Sequence, residues 1–374
     1  MLSYSQQSID QSDIDAAIQT LQSSHLTQGK EVKAFEKALS EYLGVEYVSV
    51  LNSATSALVS AYSAYGIGKG DEVITTPNSF VATANMIVAC GAVPVFVDIK
   101  YDGNINADKI EAAITDKTKA IVSVDFAGNP VEVQKIRTLC QKYNLHFISD
   151  SSHALGSSID EVKVGNFADA TIFSFHAIKP ITTFEGGAVA TNDPALYEKI
   201  ELIKSHGIVK KSLWSSDMVS MGYNFRLSDV AAAVGRSQLK RVDSFIAKRE
   251  KIAHYYDEVF YNNPYFTTIA LDKSKKSSRH LYPILLDRSH QCAKEDIFRL
   301  LHTKGIGVQV HYKPIHTNSY YKNLLGAQSL PVSIDFYKSE LSLPCHQEMS
   351  LEDAKLVADS LFEILGKGSL CSNI

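Results

Sequence analysis

Two rhythms of apolar and polar positions alternate along the first 235 residues. Short runs of β-branched and apolar residues fill 71–76, 92–98, 119–125 and 145–150, several ending in a carboxylate or a turn residue. Between them, 79–90 and 131–143 repeat apolar positions every three or four residues, the period of an amphipathic helix. Segments 170–175 and 187–191 supply two more strands. The alternation predicts an α/β fold with a largely parallel sheet. Ligands of such sheets gather at the carboxyl ends of the strands, where Asp150 emerges.

Beyond residue 235 the rhythm changes. Residues 240–260 read as a long amphipathic helix with Val242, Phe245, Ile246, Ile252, Tyr255, Tyr256 and Val259 facing inward. A polar, lysine-rich loop (272–278) precedes a strand (281–287), a helix (293–304), a strand (307–312) and a terminal helix (351–365). This predicts a large α/β domain over 1–235 and a small C-terminal α+β domain over 236–374, with 366–374 as a frayed tail.

Composition narrows the function. The 374 residues are 45% hydrophobic and 21% charged, with a net charge of -4, which gives no reason to expect nucleic acid or an anionic membrane as partner. No apolar run reaches bilayer length, and Met1 to Gln7 lacks the basic and apolar regions of a signal peptide. Five scattered cysteines without a CxxC pair fit a reduced cytoplasmic protein with no zinc site.

Four constellations carry candidate chemistry. Lys179 stands at the exit of an apolar strand, between Ser174 and the pair Gly186-Gly187, where an amine can lose enough water to act as a nucleophile. Ser53, Ala54 and Thr55 open an alanine-rich helix whose free N–H groups suit a phosphate, or the serine is a plain cap. Asp150, three residues before His153, either pairs with a cation such as a protonated pyridine or caps the following loop. Gly222 to Leu227 is a polar and aromatic cluster or a structural turn.

In this order and at these separations, the segments NSATSAL, GDEVITTPNSFVATAN, DSSHALG, FSFHAIKPITTFEGG and GYNFRL closely resemble the sugar-nucleotide aminotransferases of fold-type I, which use pyridoxal 5′-phosphate (PLP). The resemblance runs from about Ser5 to about Phe362. SSHLTQGK, VDFAGNPVEV, VQVHYKPIH and SLPCH further resemble the branch of the family in pseudaminic acid biosynthesis. It implies transfer of an amino group from glutamate to C4 of a UDP-linked 4-keto-6-deoxy-N-acetylhexosamine, with pyridoxamine phosphate (PMP) as the carrier between half-reactions.

The resemblance also implies roles. Lys179 holds PLP as a Schiff base and moves the proton, and Asp150 pairs with the pyridine nitrogen. Ser53, Ala54, Thr55 and Ser174 hold the phosphate; Phe80 stacks on the ring, unless it packs in the core. His153 lies near the ring hydroxyl or is a structural histidine. Asn224 reaches the neighbouring active site of a homodimer. Tyr4, His25, Leu26, Thr27, His311, Tyr312 and Lys313 are expected to bind the sugar nucleotide, although His311 and Tyr312 also fit an alternating strand. Asp125 to Gly128 departs from the His-Leu-Tyr-Gly type sequence of many members, which bears on substrate choice.

Competing readings are an aminotransferase for another UDP- or dTDP-linked 4-keto or 3-keto sugar, a sugar dehydratase of the same fold, and a non-catalytic regulatory protein. Lys179 opposes the dehydratase, where histidine replaces the lysine. The retained Lys179 and Asp150 oppose the regulator. Gly66 to Gly70 lacks GxGxxG spacing and precedes a strand, so a nicotinamide enzyme is rejected.

Overall fold

A computed structural model describes residues 1–366. Seven strands form the central sheet: β1 (Tyr47–Leu51), β2 (Glu72–Thr75), β3 (Val93–Phe96), β4 (Thr118–Val124), β5 (His146–Asp150), β6 (Ala170–Ser174) and β7 (Gly187–Thr191). Their order is β1-β7-β6-β5-β4-β2-β3. Only β7 runs against its neighbours; the other pairings are parallel. The sheet is thus mixed but mostly parallel, in agreement with the α/β expectation.

Burial on both faces explains the near-continuous apolar runs. Ala120, Val122 and Ile148 face one apolar cluster, and Ile121 and Phe147 face another on the opposite side. Two helices matter most for the site. Helix α1 (Ala54–Ala64) starts on a capping box in which the Ser53 hydroxyl accepts from the Ser56 N–H. Helix α2 (Ala82–Ala89) follows β2; it is shorter than the predicted 79–90, because the Ser79 hydroxyl instead bonds that of Thr83 at 2.7 Å.

The small domain has its own three-stranded antiparallel sheet, made by β8 (Phe266–Thr268), β9 (Tyr282–Leu286) and β10 (Glu340–Leu343). Its core includes Ile252, Tyr256, Ile284, Leu341 and Leu361. One helix, α3 (Val242–Val259), serves both bodies. Val242, Phe245 and Ile246 pack into the large core, Ile252, Ala253 and Tyr256 into the small one. The packing therefore changes over within α3.

The structure departs from the expected elements in three further places. Residues 307–312 make no strand: the N–H groups of His311 and Tyr312 donate to the side chains of Glu340 and Asn78, and only Gln309 bridges to Ser342. The lysine-rich loop contributes a short strand, Lys275–Lys276, paired with Ser158–Ile159. A hairpin of Ile208–Lys210 and Ser216–Met218, unread in the sequence, carries Leu213 and Trp214 exposed at its turn. Cys90, Cys140 and Cys345 are free. The tail expected beyond Gly366 lies outside the described residues. No helix among the described residues is long and apolar enough to cross a membrane.

Candidate active site

The carboxyl ends of β1, β4, β5 and β6 open into a cavity of about 670 Å³ that the small domain closes from the other side. Tyr4, Ser53, Ala54, Thr55, Phe80, Asp150, His153, Ser174, Lys179, His311 and Tyr312 all line it. These residues come from six separate stretches of chain. The fold brings eleven of the expected positions together.

Local sequence sets each group on the sheet side. Asp150 ends β5, level with Val124 of β4 and Ile172 of β6. One carboxylate oxygen accepts from Thr83 Oγ1 at 2.6 Å, the other from Ser152 Oγ at 2.6 Å and Ser152 N at 3.2 Å. Among the described residues no basic side chain is bonded to this buried carboxylate, so it suits a cationic ligand. Across the sheet, β7 must pass close to the start of α1. A Cβ on Gly187 would lie 2.5 Å from the backbone nitrogen of Ala54, so only glycine fits. The first N–H groups of α1, at Ala54 and Thr55, have no intrahelical acceptor and face the cavity.

Lys179 sits in a turn after β6, its N–H bonded to His176 O at 2.9 Å. The N-terminal segment holds that turn in place: Ser5 Oγ donates to Ile178 O at 2.9 Å. Burial pushes the Lys179 amine down to about 7; Asp150 opposes the shift and Arg249 adds to it. Its Nζ is 3.3 Å from His280 Nε2. His153 and His280 stand 4.5 Å apart between ring centroids, and burial, reinforced by the Lys179 charge, holds both well below the usual imidazole range. The lysine thus faces neutral rings.

His153 accepts from the Ala127 N–H through Nδ1 at 3.3 Å, which places the proton on Nε2, 3.1 Å from the Tyr312 hydroxyl. This connects the unusual segment Asp125 to Gly128 to the cavity. Asp125 anchors it by accepting from Ser151 Oγ at 2.6 Å and Val131 N at 3.0 Å, while Ala127 takes a left-handed φ of 58°. Phe80 is 62% exposed and turned to the cavity, its ring 6.4 Å from that of Tyr312. Core packing does not account for it.

Five expected residues are not brought to this cavity. Asn224 is exposed, and its carbonyl accepts from Asn52 Nδ2 at 3.3 Å. His25, Leu26 and Thr27 are also exposed; Asp229 N donates to Leu26 O at 2.9 Å and Thr27 bridges to Ser228. Lys313 is exposed beside Tyr312 without lining the cavity. Conversely, sequence reasoning missed His280 and Arg249. Arg249 is fully buried on α3 and donates to Gln347 Oε1 at 2.8 Å and Cys345 O at 2.9 Å. Its only signal was a charge among the inward-facing positions of that helix.

A dry lysine, a carboxylate held for a cationic nitrogen, an open helix start and a ring-sized apolar face fit PLP in chemistry. Comparison with known proteins agrees. The profile of the DegT/DnrJ/EryC1/StrS aminotransferase family matches residues 7–362. The chain is 56% identical over 370 residues to the UDP-4-amino-4,6-dideoxy-N-acetyl-beta-L-altrosamine transaminase of Campylobacter jejuni, covering 98% of each chain. It is 49% identical over 362 residues to the enzyme of that name in Helicobacter pylori, covering 96% of each. The solved structure of Helicobacter pylori PseC, an aminotransferase involved in the biosynthesis of pseudoaminic acid, superposes with a TM-score of 0.96 at 49% identity, covering 98% of this chain and 99% of that one. A putative sugar aminotransferase of Streptococcus pneumoniae in its PMP form gives 0.94 at 31% identity, covering 98% and 100%. The chain therefore belongs to the DegT/DnrJ/EryC1/StrS aminotransferase family and is a PLP-dependent transaminase.

Proposed function

We propose that this enzyme transfers an amino group from glutamate to C4 of a UDP-linked 2-acetamido-2,6-dideoxy-4-keto-hexose of the L-arabino series, a step of pseudaminic acid biosynthesis that serves surface or flagellin glycosylation. The observation that carries the reaction class is Lys179, an amine pushed down to about 7 beside neutral histidines. The 56% identity over nearly the whole chain supports the substrate.

Bound PLP supplies an electron sink and a carrier for the amino group. The protein's own groups do the rest. Lys179, half deprotonated near neutral pH, is poised both to bond a carbonyl carbon and to take and return a proton. Asp150, fixed by Thr83 and Ser152, keeps a pyridine nitrogen protonated. The start of α1 and Ser174 hold a phosphate, and Phe80 offers its exposed face to a ring. Tyr4, His311 and Tyr312 form the wall that meets the sugar nucleotide.

Leu26 and Thr27 are held to Asp229 and Ser228, and Asn224 bridges to Ser205. Both exposed segments lie outside this subunit's cavity, which supports a homodimer in which they serve the neighbouring site.

Two measurements test the proposal. Protein given PLP should show a visible absorbance band that Lys179→Ala abolishes; a colourless wild type defeats the cofactor reading. With glutamate as donor, the L-arabino 4-keto sugar should turn over in preference to its D-gluco relative. Comparable efficiency for both would overturn the sugar assignment and leave the reaction class standing.

A further inference from the structure

The small-domain wall contains a chain of hydrogen bonds that the reaction as described leaves unused. Glu340, fully buried at the start of β10, accepts from the Ser342 hydroxyl at 2.5 Å through one oxygen and from the His311 N–H at 2.8 Å through the other. The Ser342 hydroxyl oxygen is 2.8 Å from His311 Nδ1. Burial raises the Glu340 carboxyl, while the Ser342 hydroxyl and the Lys294 charge favour its carboxylate form.

A hydroxyl has one proton. When Ser342 gives it to the carboxylate, the oxygen can only accept from Nδ1, so the imidazole proton sits there. The other nitrogen, Nε2, makes no hydrogen bond among the described residues, and the ring lines the cavity beside Tyr4, 5.6 Å between centroids. Burial and the Lys179 charge push His311 down to about 3, which keeps the ring neutral. The backbone reinforces the arrangement, since Ser342 and Gln309 exchange hydrogen bonds at 2.8 and 3.2 Å and set the relay two residues from His311.

We propose that Glu340 and Ser342 are positioning residues that fix His311 as its Nδ1–H tautomer, so that Nε2 accepts a hydrogen bond from a hydroxyl or amide N–H of the sugar substrate. The last clause rests on the reading of this cavity as the sugar site; the tautomer does not. Such an acceptor makes the wall selective. A protonated ring or the opposite tautomer would meet a substrate donor with another donor, leaving both unpaired.

The test uses the full chain labelled with [15N]histidine at pH 8, with the His311 signals identified by their loss in His311→Gln. Long-range 1H–15N spectra should show a protonated Nδ1 and a bare Nε2; a protonated Nε2 overturns the proposal whatever the enzyme's activity. In kinetics, Ser342→Ala should raise KM for the sugar nucleotide about tenfold and leave the glutamate half-reaction within about twofold, and Ser342→Thr should restore the sugar KM. An unchanged sugar KM in Ser342→Ala overturns the substrate role of the relay. The expected tautomer in a wild type that fails to aminate any keto sugar would instead overturn the assigned reaction.

Discussion

On the sheet side of the cavity, Ser53 is tied to Ser56 and Asp150 to Ser152, partners two or three residues away. On the facing wall, Tyr312 meets His153 across 159 residues of chain, and Lys179 meets His280 across 101. The sheet side is prepared mostly within the large α/β body, where Asp150 is also held by Thr83, 67 residues away. The wall exists only once the small domain has docked. The contrast separates two duties: the locally built side holds what every turnover needs, and the assembled side can vary with the sugar while the chemistry stays constant.

Substitutions can break that division. Lys179→Ala should lower kcat for every keto sugar by roughly 10⁴-fold, because both covalent attachment and proton transfer are lost. Asp150→Asn should cost roughly 10²- to 10³-fold, again without regard to the sugar. A Gly187→Ala change should weaken cofactor binding and destabilise the fold by about 1–3 kcal/mol, read from a shifted denaturation midpoint, since the new methyl group meets the backbone of Ala54. Tyr312→Phe, on the wall, should raise the sugar KM only about fivefold, the cost of one buried hydrogen bond, and spare the glutamate half-reaction. If Tyr312→Phe slowed both half-reactions equally, the two sides would not be separate in function.

A pH measurement sharpens the same comparison. In cofactor-free protein, Lys179 is lowered to about 7, whereas an unfolded lysine titrates near 10.4. Between these values the unfolded chain binds a proton that the folded one does not, so this residue makes stability rise with pH across that window. Below about 7 both states hold the proton and the slope vanishes. The difference between wild type and Lys179→Met in denaturant titrations from pH 6 to pH 10 should therefore depend on pH only above about 7.

The same contrast explains what the sequence disclosed. Strand rhythm located β2 to β7, and Ser53, Asp150 and Lys179 could be placed because each stands at the end of its own strand or start of its own helix. His280 and Arg249 could not. A lone histidine before a strand and an arginine inside an amphipathic helix acquire meaning only when Lys179 lies opposite. The failed strand at 307–312 has a similar cause. Alternating residues there suggested a ladder, but Glu340 and Asn78, distant in sequence, take the N–H groups a partner strand would need. His25 to Thr27, exposed and away from the cavity, show the limit of resemblance alone: a motif singles out residues without placing them in space.

The N-terminal segment has a consequence for how the protein is made. Leu2 exchanges backbone hydrogen bonds with Gly305 and Gly307, Tyr4 O accepts from the Cys345 N–H, and Ser5 fastens the turn that carries Lys179. Residues 2–4 thus find their places only after residues 305–345 have been made. Although the sheet can fold early, the segment that straps the lysine turn is not itself anchored until then. A growing chain therefore acquires much of its fold before its active site, which stays unfinished until these distant segments meet.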